Sequence, residues 1–270
     1  MAYRPWMKDS FMDHLLAMRA ARVLTTARRS GQRIAALPEG CEPQSQDDAY
    51  HIQDCVVACH GERVSAWKVG ATHINAQNAL GVPGPVASRL FEASILQGDQ
   101  TLPDIYTVRG LEAEYAFLMG ADLPASDTPY TREQILAAVK SVHPAIEIVD
   151  TRYQVLQKGN LTIADNVNDA HWLYGPGVED LSSVDIVNAS VTMEVNGEVV
   201  VRGSGAEVLG DPIVSLTWLI NEHATHREGL RAGQFVTAGS CTGLYKSPAG
   251  CSARATFEGL GELNVTFTPV

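Results

Sequence analysis

Two glutamates lie one residue apart in GLEAEYAFLMG (residues 110–120), a segment that is otherwise apolar or aromatic. On a β-strand, Glu112 and Glu114 point to the same face, about 6.5–7 Å apart along the backbone. Such carboxylates repel each other, and burying them is costly unless a partner compensates their charge. A divalent cation such as Mg²⁺ or Mn²⁺ prefers oxygen ligands, and Glu147 in PAIEIVD is a candidate third ligand. Acidic residues are frequent in this chain, so spacing alone leaves a half-exposed strand face as the alternative.

Lys68 is a single cation within the apolar strand candidate SAWKVG. Its side chain either extends to the surface, as lysines commonly do, or is held in a pocket. Burial in a pocket would lower its pKa toward the range useful for proton transfer. A second candidate is the turn TAGSCTG, from Thr237 to Gly243, whose hydroxyls and backbone N–H groups suit a carboxylate. The same composition is typical of any tight loop.

The bulk composition excludes several classes of protein. The 270 residues are 45% hydrophobic and can bury a full core, as one large domain or a domain with an appendage. A formal charge of -11 and a pI near 5.1 argue against nucleic-acid binding. No apolar run approaches the roughly 20 residues that span a bilayer, and the N-terminus lacks the pattern of a secretory signal. RGSGAEVLG has Val208 where a dinucleotide-binding fingerprint needs a glycine, and no G-x-S-x-G motif is present.

The five cysteines are an odd number without the spacing of metal ligands. Cys55 and Cys59 are four residues apart, which on a helix is one face, and we interpret this as core packing. A reduced, cytoplasmic setting is therefore predicted.

Helical patterns come first and strand patterns follow. Two helices are predicted, one over residues 9–29 and one that begins after Ser45 and ends at Gly61. Later helices are predicted in TREQILAAVKSV, after a capping box at Thr131, and after Asp211. Short strands with Gly and Pro between them dominate from Val64, including a hairpin at Asn196-Gly197. This order predicts an α+β fold with a mixed or rolled sheet, a helical N-terminal region over residues 1–62 and a β-rich catalytic domain over residues 63–270.

In their order along the chain, several motifs resemble one known family. They resemble the 2-keto-4-pentenoate hydratase and 4-oxalocrotonate decarboxylase branch of the fumarylacetoacetate hydrolase superfamily. The motifs that carry this resemblance are WKVGAT, LFEAS, LEAEYAF, VHPAIEIVD, IADN and LRAGQFVTAGSCTG. The resemblance runs from about residue 45 to the C-terminus. It implies a rolled mixed β-fold, a homo-oligomer and association with a related decarboxylase or hydratase.

The resemblance also implies roles for individual residues. Glu112, Glu114 and Glu147 match the ligands of a Mg²⁺ or Mn²⁺ site, and Lys68 matches a lysine that acts at the substrate. A further group matches the turn near the substrate carboxylate: Thr237, Gly239, Ser240 and Thr242.

Two positions depart from the pattern of the hydratases. LFEAS has Ala93 where an aspartate is expected, which leaves Glu92 as the nearest acid, one position away. A shift of one residue on a strand would turn Glu92 to the other face, whereas on a loop it would still reach the site. Asn168 stands where a serine often follows IADN, and an amide orients water without carrying protons.

The implied activity is hydration of a 2-hydroxy-2,4-dienoate to a 4-hydroxy-2-oxo acid, with a small 2-oxo or 2-hydroxy-dienoic acid as ligand. The alternatives are decarboxylation of a 2-oxo-3-enedioate and a non-catalytic partner subunit of such enzymes. Retention of the three glutamates and Lys68 speaks against the partner subunit, and loss of the aspartate speaks for it.

Overall fold

The structure, a computed structural model, describes residues 12–270. Its helices are α1 (His14–Ser30), α2 (Gln46–His60), α3 (Ile74–Leu80), α4 (Arg132–Ala138), α5 (Asn160–Ala164) and α6 (Pro212–Leu219). Its strands are β1 (Val64–Gly70), β2 (Val86–Phe91), β3 (Ile95–Gln97), β4 (Gln100–Pro103), β5 (Gly110–Met119), β6 (Val139–Val149), β7 (Asp169–Tyr174), β8 (Ser190–Val195), β9 (Glu198–Ser204), β10 (Phe235–Ser240), β11 (Tyr245–Lys246), β12 (Ser252–Phe257) and β13 (Gly261–Thr268).

The two N-terminal helices begin and end where their capping residues place them. The Asp13 side chain accepts a hydrogen bond from the Leu15 N–H, so α1 begins at His14; residues 9–11 of the predicted helix lie outside the described residues. Ser45 caps α2 in a capping box with Asp48. Both helices end at a glycine in the left-handed conformation, Gly31 and Gly61, because a residue without a Cβ adopts it at little cost.

The strands form two sheets. The larger has the order β2-β1-β10-β5-β6-β7-β3, with the short β11 also paired to β5. Its β1–β10 and β3–β7 pairs are parallel and its other pairs antiparallel, so the sheet is mixed. The smaller sheet has the order β4-β13-β12-β8-β9. The α+β class with a mixed sheet is therefore as predicted.

The two faces of the larger sheet differ: side chains on one face of its central strands pack in the main core, and those on the opposite face do not. Leu111, Ala113, Tyr115 and Phe117 of β5 are buried in one hydrophobic cluster with residues of β8, β12 and β13. The even-numbered residues of β5 point the other way, because side chains alternate between the faces of a strand. That opposite face carries both Glu112 and Glu114.

The helices α1 and α2 pack in a second hydrophobic cluster, near the ends of β1 and β2. Ala20 and Ile52 of these helices share the cluster with Val86 and Phe91 of β2 and with Val167. The N-terminal region and the β-rich region thus meet in one cluster. The division of the chain at residue 62 stays a prediction.

One predicted boundary is wrong. TREQILAAVKSV was expected to be helical throughout, but α4 ends at Ala138 and β6 begins at Val139. The segment after Ala138 pairs with β5, where Ser141 lies opposite Leu118, and this tertiary pairing outweighs the local helical pattern. Within the described part of the chain, none of the helices combines the length and apolarity that a membrane span requires.

Candidate metal centre

The pairing of β5 with β6 brings three carboxylates together. Glu112 lies directly opposite Glu147 in the antiparallel register, and Glu114 lies two residues further along β5 on the same face. Ile146 and Ile148, on either side of Glu147, are buried in the main core, so Glu147 points to the face that carries the other two glutamates. Each of the three residues offers a carboxylate oxygen, and these oxygens lie within 4.8 Å of one another.

The cluster is largely buried, since Glu114 and Glu147 are buried and Glu112 is half-buried. Glu114 and Glu147 are each 1% exposed, and none of the described residues donates a hydrogen bond to Oε2 of Glu147. Burial raises the pKa of all three carboxyls, that of Glu114 to well above its ordinary value and that of Glu147 to about 7. Clustered oxygen donors with an unsatisfied buried oxygen fit a hard divalent cation, which would relieve their mutual repulsion. The half-exposed strand face is therefore not the arrangement found.

Lys68 is held in a pocket and does not extend to the surface. Its side chain is 2% exposed, and Nζ donates to Glu147 and, at 2.9 Å, to the carbonyl oxygen of Val167. Burial acts to lower its pKa, but the carboxylates of Glu147 and Glu112 outweigh this and raise it. The predicted direction of the pKa shift is therefore wrong, because the prediction considered burial without the carboxylates. The two carboxylates thus favour the ammonium form of Lys68.

The Val167 carbonyl belongs to an unusual left-handed turn. Asn166, Val167 and Asn168 have φ angles of 54°, 54° and 57°. Left-handed backbone is uncommon for residues other than glycine, above all for a β-branched valine, and each such residue costs about 1–3 kcal/mol. The Asn168 side chain is 3% exposed, and its Oδ1 accepts no hydrogen bond from the described residues. An unpaired buried acceptor is suited to a water or a substrate hydroxyl.

A network of buried charges flanks this turn. The Arg152 guanidinium donates to the Asp165 carboxylate and to the backbone carbonyls of Asp165 and Asp169. The Thr151 hydroxyl donates to Asp165 at 2.7 Å, and Arg28 of α1 pairs with Asp169. These bonds hold both ends of the left-handed turn and connect it to α1. This network was not predicted from the sequence, because its charged partners lie in separate segments of the chain.

The predicted substrate turn lies along the same face. Thr237, directly opposite Lys68 in the β1–β10 pairing, donates its hydroxyl to the Glu114 carboxylate. Gly239 has φ of 108°, and a Cβ there would lie 2.5 Å from the Thr72 side chain. Thr237 thus contacts a predicted metal ligand, while Gly239 lets β10 and the segment after β1 approach closely.

The remaining predicted residues of this turn are Ser240, the last residue of β10, and Thr242, which follows the strand. Ser240 pairs with Glu114 in the register, and its hydroxyl lies beside the Glu112 carboxyl. Thr242 accepts a hydrogen bond from the Ala113 N–H at 3.3 Å, between the two glutamates of β5. Contact of this turn with a substrate carboxylate stays a prediction.

Glu92 is not brought to the three glutamates. It begins the short turn after β2, where its side chain is 58% exposed and forms an ion pair with Arg63. The turn carries Glu92 to the surface near the start of β1, since its N–H donates to the carbonyl of Arg63. Within the described residues its side chain bonds to Arg63 and not to Lys68 or Asn168, so nothing in the geometry supports its predicted catalytic role.

Comparison with known proteins gives the family that this chain matches. Residues 55–268 match the family described as fumarylacetoacetate (FAA) hydrolase C-terminal. A 2-keto-4-pentenoate hydratase of Burkholderia vietnamiensis is 33% identical over 262 residues, which are 95% of this chain and 98% of the relative. A 2-hydroxyhexa-2,4-dienoate hydratase of Comamonas testosteroni is 30% identical over 254 residues, which are 91% of this chain and 95% of the relative.

The fold also matches a solved structure. The 4-oxalocrotonate decarboxylase from Pseudomonas putida G7, complexed with magnesium and adipate, superimposes with a TM-score of 0.87 at 24% identity. The match covers 96% of this chain and 100% of that chain. It confirms the predicted helical region followed by a rolled mixed sheet.

Proposed function

The chain belongs to the fumarylacetoacetate hydrolase family, and we propose that it is a divalent-metal-dependent hydratase of a 2-hydroxy-2,4-dienoate. The observation that carries this proposal is the largely buried set of Glu112, Glu114 and Glu147, whose member Glu147 is ion-paired with Lys68. The relatives of similar length are named as hydratases of such dienoates.

Glu112, Glu114 and Glu147 would hold the cation, with Mg²⁺ or Mn²⁺ as our proposal. A bound divalent cation supplies Lewis acidity, which stabilises negative charge at the C2 oxygen of a 2-oxo acid. The Thr237 hydroxyl fixes the orientation of Glu114, so this carboxylate needs little rearrangement to act as a ligand. Because the cluster is buried, electrostatic interactions within it are strong.

Lys68 and Asn168 would act on the substrate itself. Hydration of 2-hydroxypenta-2,4-dienoate first requires a proton on the carbon chain while the C2 hydroxyl loses its proton, which gives the 2-oxo acid. Water then adds across the remaining double bond, with hydroxide at C4 and a proton on the neighbouring carbon. The Lys68 ammonium, positioned by Glu147 and the Val167 carbonyl, is placed to donate a proton or to bind the substrate carboxylate. The unpaired Asn168 Oδ1 is an acceptor that can orient the water.

Decarboxylation of a 2-oxo-3-enedioate is the second candidate, and Asn168 is the observation that favours it. An amide does not transfer protons, and Glu92 is ion-paired at the surface, so neither of the two departing positions brings an acid–base group to the water. Loss of CO₂ needs the same stabilised negative charge at C2 but no activated water.

The direct test follows the ultraviolet absorbance of 2-hydroxypenta-2,4-dienoate with the purified protein, in Mg²⁺, in Mn²⁺ and in EDTA. We expect metal-dependent loss of the dienol chromophore, with one 4-hydroxy-2-oxopentanoate formed per dienoate consumed. Glu114→Gln should abolish turnover, whereas Glu198→Gln, an exposed glutamate on β9 of the smaller sheet, should retain it. Absence of turnover despite stoichiometric metal binding would contradict pentadienoate hydration. CO₂ release from 2-oxo-3-hexenedioate would then establish the decarboxylase. Absence of turnover with both substrates would support a non-catalytic partner subunit.

We further propose that the chain acts as a homo-oligomer and associates with a related decarboxylase or hydratase. Light scattering coupled to size exclusion measures the first, with a mass near 29.1 kDa as the result that contradicts it. Co-elution with a purified relative of the other activity tests the second.

A further inference from the structure

A second group of metal-ligating side chains lies on the N-terminal helices, in a different part of the fold. His14 is the first residue of α1, and His51 and Cys55 are four residues apart on α2. Residues at i and i+4 of a helix share one face, so His51 and Cys55 point together toward α1. One ligand atom from each of the three residues lies within 4.8 Å of the other two.

The distances between these atoms resemble those around a tetrahedral zinc ion. Two histidine nitrogens bound to one zinc are about 3.3 Å apart, and a nitrogen and a thiolate sulfur about 3.6 Å, from the usual bond lengths and the tetrahedral angle. Here His14 Nδ1 lies 3.2 Å from His51 Nε2 and 3.9 Å from Cys55 Sγ. Small side-chain adjustments would bring all three atoms to a common ion.

The ligand types select a different ion from that of the glutamate cluster. Two imidazoles and a thiolate favour zinc and similar transition metals, whereas three carboxylates favour magnesium, manganese or calcium. His14 is exposed, His51 half-buried and Cys55 buried, so the group is open to solvent on the His14 side and an ion can enter. Three protein ligands leave one position for water.

We propose that His14, His51 and Cys55 bind a zinc-class divalent ion that joins the start of α1 to α2. The ion would fix the N-terminal end of α1, whose C-terminal part is already held by the ion pair between Arg28 and Asp169. Zinc at this site would therefore stabilise the helix that supports the left-handed turn. The proposal does not depend on the activity of the protein.

Co²⁺ is the probe of choice, because a thiolate ligand gives a near-ultraviolet charge-transfer band that carboxylates do not produce. The wild-type protein is titrated with Co²⁺ in excess Mg²⁺, and the Glu114→Gln variant is titrated in the same way. Both the Mg²⁺ and the substitution limit Co²⁺ binding at the glutamate cluster. We expect a thiolate band that saturates at one Co²⁺ per chain and is abolished by added Zn²⁺. The band should disappear in Cys55→Ser.

Variants of the other residues make the result specific. His14→Ala replaces an exposed residue and should fold normally, while lowering Co²⁺ affinity by at least about a hundredfold, since outer-shell changes alone cost 10–100-fold. Cys59→Ser, one helical turn beyond Cys55, is the matched control and should keep the band. Zn²⁺ should raise the Tm of the wild type in excess Mg²⁺ but not that of His14→Ala. Absence of a thiolate band, its survival in Cys55→Ser or its loss in Cys59→Ser would overturn the proposal.

Discussion

Replacing Glu114 by Gln should stabilise the metal-free protein while removing the stabilisation that a metal provides. Glu114 is 1% exposed, and its pKa is raised well above its ordinary value by burial and then by the carboxylates of Glu147 and Glu112. A carboxyl whose folded-state pKa is raised lowers stability as the pH increases above its unfolded value near 4.3. Gln has the same shape, and its amide oxygen still accepts from the Thr237 hydroxyl.

The magnitude follows from the spacing of the carboxylates. Two like charges at 4.8 Å, the upper limit of the separation between these oxygens, repel by about 3.5 kcal/mol at an effective dielectric constant of 20. Glu114 repels two carboxylates and is attracted by Lys68, and proton uptake relieves part of the remainder. We therefore expect a gain of roughly 2 kcal/mol at pH 8, which for a chain of this size raises the Tm by roughly 5 °C.

Added Mg²⁺ should make the wild type more stable than Glu114→Gln, the reverse of their order without metal. Mg²⁺ at about 100 times its Kd stabilises a protein that binds it by about 2.7 kcal/mol. The wild type should show this increase, and Glu114→Gln should show almost none, because one of its three ligands has lost its charge. Scanning calorimetry at pH 8 in EDTA and in Mg²⁺ measures all four states, and Glu198→Gln serves as the control that follows the wild type in both.

Two results would refute the reasoning. A lower Tm for Glu114→Gln than for the wild type in EDTA would mean that hydrogen bonds stabilise the charged carboxylate more than its neighbours destabilise it. A full Mg²⁺-dependent increase in Glu114→Gln would mean that Glu114 is not a ligand.

Three further predictions concern Lys68, Gly239 and His143. Lys68→Met should lower kcat by about a hundredfold or more, because the proton donor is lost, while calorimetric titration still detects Mg²⁺ binding. Gly239→Ala should lower the free energy of unfolding in urea by more than about 1 kcal/mol, since φ is 108° and the added Cβ would meet the Thr72 side chain. His143 is buried between Ser141 and the Gly175 carbonyl, and burial lowers its pKa. The stability of the wild type should therefore fall as the pH drops below about 6.5, where the unfolded histidine gains its proton, and His143→Gln should show a shallower decrease in acid-to-neutral unfolding experiments.

The local patterns of the sequence were enough to predict the strands that carry the glutamates. Alternation along GLEAEYAF and PAIEIVD requires only the two-residue period of a strand, and it places Glu112, Glu114 and Glu147 opposite the apolar core. Helix ends were equally local, since Ser45 and Gly61 cap α2 through neighbouring backbone groups.

Contacts between distant segments could not be predicted in this way. Arg28 and Asp169 are 141 residues apart in sequence, and no local pattern pairs them. The left-handed turn at Asn166–Asn168 contains no glycine, the residue that normally marks such backbone. His14 likewise meets Cys55 only because α1 packs on α2. Spacing rules for metal ligands within one segment therefore missed this group.

Lys68 connects the two unfavourable features of the site, the clustered carboxylates and the left-handed turn. With all groups ionised, three glutamates and one lysine carry a net charge of -2, which a divalent cation would balance. The same ammonium donates a hydrogen bond to the Val167 carbonyl and thereby supports the turn. Removing Lys68 therefore leaves the carboxylates more repulsive and the turn less supported. This coupling explains why a cation lies in an apolar strand with its side chain buried, where a hydrophobic residue would otherwise pack at lower cost.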